Sequence, residues 1–188
     1  LGDVYKRQVG GQGTLLASRI LGNVLLSQGY DVKVSEVHGM SQRGGSVVTY
    51  IKFGEKVYSP VIEKGQADII VSFEALEAAR WVSFLKKGGK LVMNTQEIEP
   101  MPVITGAAQY PANIVDTLKS LGEDVIAVDA LSLAEQAGTS RAVNVVLMGV
   151  ISHILDFGDK VWNDALEQCV PAKVLEVNKK AFGLGRNA

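Results

Sequence analysis

The sequence predicts an α/β fold: a three-layer, Rossmann-like, mostly parallel (mixed) sheet with a C-terminal helical extension. Three observations carry that expectation. Short apolar runs with strand character alternate with helical periods from Val9 to Val128. A glycine cluster, VGGQGT, stands between the first strand position and the first helix. From Ala130 onward the pattern is helical only.

The elements follow in order. Leu1–Gln8 reads LGDVYKRQ, a mixed-charge run with no period. A buried parallel strand needs about four to eight mostly apolar residues, and only Val4, Tyr5 and Val9 are available. Residues 1–8 are therefore expected to be a non-native or truncated segment, foreign sequence standing where an apolar strand belongs. A short edge-like strand at Val4–Val9 is the alternative. After Gly13, apolar residues at Leu15, Leu16, Ile20, Val24 and Leu25 have a helical period, and Gly29 supplies a C-terminal cap. Asp31–Val37 alternates as a strand. A glycine-rich loop, His38–Ser46, precedes a strand at Val47–Phe53, and Gly54-Glu55 predicts a hairpin return over Lys56–Ser59. Asp68–Ser72 is a central strand. Glu74–Lys87 is helical and ends at Gly88-Gly89; Lys90–Asn94 is a strand. Prolines make Glu97–Tyr110 irregular, and Pro111 opens a helix to Leu121. Val125–Val128 is the last strand. Helices follow at Ala130–Ala137 and Arg141–Phe157, with two shorter ones from Asp159 and Pro171. One domain over 9–157, with helices of 158–188 packed on it, accommodates the pattern.

Composition narrows the function classes. The 188 residues are 47% hydrophobic, 21% charged and 6% aromatic, which is ordinary globular usage. A chain of this length buries about 70% of its unfolded surface and needs no staples. Nineteen Lys and Arg against 20 Asp and Glu give no basic field for nucleic acid or an anionic membrane, and near-zero charge favours association with a partner. A single cysteine, Cys169, builds neither an intrachain disulfide nor a cysteine-held cluster. No stretch approaches the roughly 18 apolar residues of a membrane span, and no secretory apolar core is present. A cytoplasmic location is expected.

Two loops are candidate sites. In VGGQGT, exposed backbone N–H groups and the helix dipole would favour phosphate or pyrophosphate. Gly11 and Gly13 match two glycines of G-x-G-x-x-G, but the third position is Leu16; Glu36 stands where a ribose-binding acid would. A tight packing turn with no ligand explains the same residues equally well. In HGMSQRGGS, Arg43 offers a planar cationic fork for phosphate or carboxylate, and Gly44-Gly45 allows close backbone approach. A flexible loop with Arg43 solvated or paired to Glu36 is the alternative; the ligand-binding reading is favoured, because long glycine-rich loops at strand ends more often carry function. The remaining polar residues are weaker signals. His38 lacks a nucleophile or paired carboxylate. His153 is packed or at the surface, and Cys169 is a buried, inert helical thiol. Glu74 is a first-turn helix charge or a pocket group, the former favoured, while Asn94, Thr95 and Gln96 could reach the same crevice. No metal-ligand cluster, P-loop or nucleophile elbow is present.

VGGQGTLLASRILG, SEVHGMSQRGGSVVTYIKFG and KVYSPVIEKGQADIIVSFEALEAAR together resemble the gamma-type domain of 2-oxoacid:ferredoxin oxidoreductases. Within that family the resemblance is greatest to small (beta) subunits acting on indolepyruvate, and it runs from about Val9 to Phe157. It implies a subunit, inactive alone and with no catalytic residue in this chain, that supports oxidative decarboxylation of an aryl-2-oxoacid. The products are an aryl-acetyl-CoA and CO2, with two electrons passed to ferredoxin. Thiamine pyrophosphate and 4Fe-4S clusters belong to a large partner subunit, and coenzyme A is the co-substrate. Carried over position by position, the resemblance assigns coenzyme binding to Gly10, Gly11, Gln12 and Gly13, and to Ser41, Gln42, Arg43, Gly44 and Gly45. One departure is LGDVYKRQ in place of the family's apolar strand. Two other readings stay open: a stand-alone NAD(P)-binding Rossmann-type oxidoreductase, and a purely structural subunit whose loops dock a partner.

Overall fold

The computed structural model describes residues 2–9, 12–38 and 46–188. Six strands form one sheet: β1 (Gly2–Val9), β2 (Asp31–His38), β3 (Ser46–Gly54), β4 (Ala67–Ser72), β5 (Leu85–Asn94) and β6 (Asp124–Val128), in the order β2-β3-β1-β4-β5-β6. Neighbours β1, β4, β5 and β6 run parallel, and β3 runs antiparallel to both β1 and β2. Seven of the eight helices used below cover the two faces. These are α1 (Gln12–Ser27), α2 (Ala75–Trp81), α4 (Ile114–Ser120), α5 (Ala130–Ala137), α6 (Val143–Ile154), α7 (Asp159–Cys169) and α8 (Leu175–Arg186). The eighth, α3 (Met101–Ile104), is one turn between α2 and α4 in the chain.

The sheet is mixed, as expected, but for a different reason. Lys56–Ser59 is not a return strand; β3 pairs instead with β2 and β1. Asp31 accepts the Val57 N–H at 2.9 Å, which fastens this segment beside the start of β2. The antiparallel return of β3 also makes β1 an interior strand rather than an edge-like one. A second correction concerns Gly88-Gly89. The helix stops at Trp81, a 3-10 turn follows over Val82–Phe84, and β5 already begins at Leu85. The glycines make an irregularity within β5: Gly88 has φ +79°, and a Cβ on Gly89 would lie 2.9 Å from the Asp68 carbonyl oxygen. Helix α4 begins at Ile114 rather than Pro111.

Burial explains the three layers. Alternate residues of the strands serve opposite cores, as the two-residue period requires. Ile51, Ile69, Val71 and Val92 meet α1, α5 and α6 on one face. Val48, Ile70, Leu91 and Met93 meet α2 and α4 on the other. Helix α6 is apolar over most of its surface because it lies between the sheet and the C-terminal helices; nine of its twelve residues are buried. Helix α7 lies against α1, and α8 against α6. No helix among the described residues is long and apolar enough to cross a membrane.

The α6–α8 crossing is a backbone-to-backbone contact. A Cβ on Gly149 would lie 2.1 Å from the Phe182 carbonyl oxygen, and one on Gly185 would lie 1.9 Å from that of Val146. Neither oxygen can swing aside as a side chain would. Gly149→Ala should cost about 3 kcal/mol, the upper part of the range for overpacking. Gly183→Ala, whose Cβ would meet nothing within 4 Å, should gain about 0.5–1 kcal/mol through helix propensity. Urea denaturation of the two variants should move the midpoint in opposite directions.

Candidate functional site

The sheet reverses its winding between β1 and β4. Helix α1 follows β1 on one face and α2 follows β4 on the other, so the two connections diverge at the carboxyl ends of adjacent parallel strands. Such a switch point leaves a crevice, and a cleft of about 640 Å³ lies there. Gly13, in the first turn of α1, forms one wall; Phe73 and Glu74, after β4, form another; Gln96 and Ile98 follow β5; Ser140 and Arg141, in a 3-10 turn, and Asn144, at the start of α6, close the cleft.

Two buried polar side chains shape these walls. Asn94, at 0% exposure, donates to the Phe73 carbonyl at 3.1 Å and accepts the Ala130 N–H at 3.1 Å. It thereby ties together the exits of β4, β5 and β6. Glu74 is 2% exposed and caps α2. Its carboxylate accepts the Glu77 N–H at 2.8 Å, the Ile98 N–H at 3.2 Å and the Tyr110 hydroxyl. The Tyr110 oxygen accepts the Leu76 N–H at 3.2 Å. Burial first, and then the Glu74 carboxylate, push the Tyr110 phenol well above its usual range. Asn144 donates to the Gly13 carbonyl at 3.2 Å and sets α1 against α6. Arg141 is exposed at the cleft, and its guanidinium makes no ion pair among the described residues.

Of the residues expected at the site, Gly13 lines the cleft and Gln12 begins α1. Gly10, Gly11, Ser41, Gln42, Arg43, Gly44 and Gly45 lie outside the described residues. The strand ends that lead into both loops are adjacent: Val9 pairs with Ser46, and His38 with Val47. The side chain of His38 is also outside the described set. Glu74 caps the helix rather than standing in its first turn, and it also lines the cleft. Gln96 reaches the cleft, while Asn94 is spent on the strand exits and the Thr95 N–H bonds the Val128 carbonyl.

Glu36 faces elsewhere. It lies with Arg19, Asn23 and Cys169 in a separate groove flanked by α1, β2 and α7. The interposed β3 displaces β2 from β1 by one strand, which counts against Glu36 as a ribose acid in the cleft. Cys169 is half-buried, burial raises its thiol pKa, and Asn23 donates to its Sγ at 3.1 Å. His153 is exposed on α6. Sequence reasoning missed Ser140, Arg141 and Asn144. Their signal was the polar run GTSRAVN after the cap Gly138 and before the apolar core of α6.

Comparisons with known proteins converge. The family model for pyruvate ferredoxin/flavodoxin oxidoreductase matches residues 7–188. Indolepyruvate oxidoreductase subunit IorB of Thermococcus kodakarensis is 43% identical over 187 residues, covering 96% of this chain and 92% of that protein. IorB of Archaeoglobus fulgidus is 37% identical over 183 residues, covering 95% and 90%. A keto/oxoacid ferredoxin oxidoreductase gamma subunit from Geobacter sulfurreducens shares the fold, with a TM-score of 0.72 at 20% identity over 100% of this chain and 97% of that one. A chain of 2-oxoglutarate:ferredoxin oxidoreductase from Magnetococcus marinus, solved with 2-oxoglutarate, coenzyme A and succinyl-CoA bound, gives a TM-score of 0.76 at 16% identity. That match covers 99% of this chain and 30% of the other.

The Glu74–Tyr110 contact has a pH signature. A phenol whose folded pKa is raised above 10.0 contributes stability that is fully present below its unfolded pKa and lost as pH rises above it. Between pH 9 and 11.5 the wild-type chain should therefore lose more stability than Tyr110→Phe, which lacks the ionisable group. Parallel urea curves for the two proteins across that range would refute the linkage.

Proposed function

The chain belongs to the pyruvate ferredoxin/flavodoxin oxidoreductase family, and on that premise we propose that it is the small subunit of an indolepyruvate (aryl-2-oxoacid):ferredoxin oxidoreductase. The whole enzyme would convert an aryl-2-oxoacid, coenzyme A and two oxidised ferredoxins to an aryl-acetyl-CoA, CO2, two reduced ferredoxins and a proton. Thiamine pyrophosphate and the 4Fe-4S clusters are assigned to a large partner subunit. A four-cysteine cluster cannot be built from the one cysteine here, and no group of three or more His, Cys, Asp or Glu among the described residues is placed to hold a metal.

The observation that carries the local reading is the switch-point cleft against the first turn of α1. A helix N-terminus attracts phosphate through its unpaired N–H groups and its dipole. Arg141 adds a fixed guanidinium at the same cleft, and guanidinium pairs bidentately with phosphate. Gly10–Gly13 and Ser41–Gly45 would complete the cradle, since the strands that bear them end side by side. The proposed mechanism is positioning: the coenzyme's nucleotide end is anchored on this chain so that its thiol reaches an acyl group held on another. Such pre-alignment lowers the entropic part of the barrier.

The experiment is anaerobic co-purification with the large subunit, followed by assays with indolepyruvate, pyruvate and a branched 2-oxoacid. Coenzyme A-dependent ferredoxin reduction, fastest with indolepyruvate, is the expected result; preference for another oxoacid would remove the substrate assignment. In the same complex Arg141→Ala and Arg43→Ala should each raise the KM for coenzyme A roughly 10-fold, the equivalent of about 1.4 kcal/mol, with kcat nearly unchanged. An unaltered KM in both would place the coenzyme elsewhere.

A further inference from the structure

The segment after β5 leaves the cleft as a strap that turns apolar side chains outward. Ile98 lines the cleft and is 40% exposed; Met101 and Ile104 are 68% and 61% exposed. Met101 and Ile104, three residues apart in α3, share one side of its single turn. Exposed apolar residues scattered singly need no explanation, but several grouped on one short segment are the kind of surface that partners cover. We propose that this strap is the docking surface for the thiamine-bearing partner subunit, which would present an apolar socket with a basic rim. The inference rests on the function proposed above.

Three features favour that occupant. The first is continuity. A coenzyme anchored at Gly13 and Arg141 must send its thiol out of the cleft toward a carbonyl carbon on another chain, and the strap begins in the wall of that cleft. The second is charge. Glu97 and Glu99 flank Ile98 and make no ion pair among the described residues. The third is pre-organisation. Glu74 holds the strap at the Ile98 N–H and at the Tyr110 hydroxyl. Within it, Ile104 and Thr105 N–H groups bond the Pro100 and Met101 carbonyls at 3.1 and 2.9 Å, and Ala108 bonds that of Pro102 at 2.9 Å. A surface fixed before docking loses less entropy on association. The groove bearing Leu15, Leu26 and Val34 is also exposed, but it is lined by none of the cleft residues.

The test compares binding of the large subunit to the wild-type chain, to Met101→Asp/Ile104→Asp, to Glu97→Lys/Glu99→Lys and to Leu26→Asp/Val34→Asp. Binding is followed by mass photometry and by titration. The first pair should weaken association on the order of 100-fold, as expected for two central apolar anchors. Its coenzyme A affinity and thermal midpoint should stay at the wild-type values, which separates lost docking from lost folding. The charge pair should weaken association roughly 10-fold at low salt, and the difference should fade at high salt. The groove pair should bind normally. Wild-type affinity in the strap variants, or loss of binding confined to the groove pair, overturns the proposal. A wild-type chain that binds coenzyme A but never the large subunit would instead overturn the functional reading, and the docking surface with it.

Discussion

One buried amide organises the functional edge of this protein. Asn94 closes β5 with no exposed surface, and its two ends are spent on the Phe73 carbonyl and the Ala130 N–H. Those groups belong to the exits of the strands on either side. A parallel sheet leaves its carboxyl edge as a row of backbone groups facing diverging loops, and buried groups of that kind must be paired. A side chain with one donor and one acceptor end can satisfy two neighbours at once. An aspartate could not donate to Phe73, and an aliphatic residue would leave both groups unpaired at about 1–3 kcal/mol each. The cleft walls after β4 and β5 inherit their spacing from this single bridge.

Glu74 extends the same logic outward. A carboxylate at 2% exposure is costly unless its lone pairs are filled. Here two backbone N–H groups and a phenol fill them, and each comes from a different turn of chain: the first turn of α2, Ile98, and Tyr110. The cost of burying the charge is thus offset by fastening an otherwise irregular, proline-containing strap to a helix end. On the opposite side of the sheet, rigidity comes from packing. Gly149 and Gly185 allow α6 and α8 to touch backbone to backbone. Asn144, in the first turn of α6, and Arg141, in the 3-10 turn just before it, are therefore carried by a helix clamped between the sheet and α8.

Much of this was legible in the sequence, and the parts that were not share a cause. The period of α1 and the apolar run of β4 declare themselves because local pattern and burial agree. The partner of β3 did not. Val47–Phe53 has strand composition whichever neighbour it pairs with, and a turn signal at Gly54-Glu55 points to the nearest one; the true partners are β1 and β2. Gly88-Gly89 has a similar ambiguity, since the same dipeptide serves as a helix stop or as an irregularity within a strand. The cleft was half visible. Gly13 and Gln96 follow strand ends and could be placed by the switch-point rule. Arg141 and Asn144 could not, because they arrive from the 3-10 turn Ser140–Ala142 and the first turn of α6, which are distant in sequence and reach the edge only through tertiary packing.

These constraints bear on the role proposed for the chain in an oxidoreductase complex. The contribution proposed for it is to fix distances. A flexible, charged coenzyme brought to a second chain must lose translational and rotational freedom before its thiol can react, and that loss can be met at binding rather than in the transition state. Such a division of labour demands a rigid holder. Around the cleft, Asn144 is spent on a backbone carbonyl, Asn94 on two backbone groups and Gln96, and Glu74 on two backbone N–H groups and the Tyr110 hydroxyl, while Arg141 is exposed. Buried bonds set the geometry, and the exposed cation makes no ion pair among the described residues. A wall built from unpaired polar side chains would adapt to each ligand and surrender the positional precision that makes a separate subunit worth assembling.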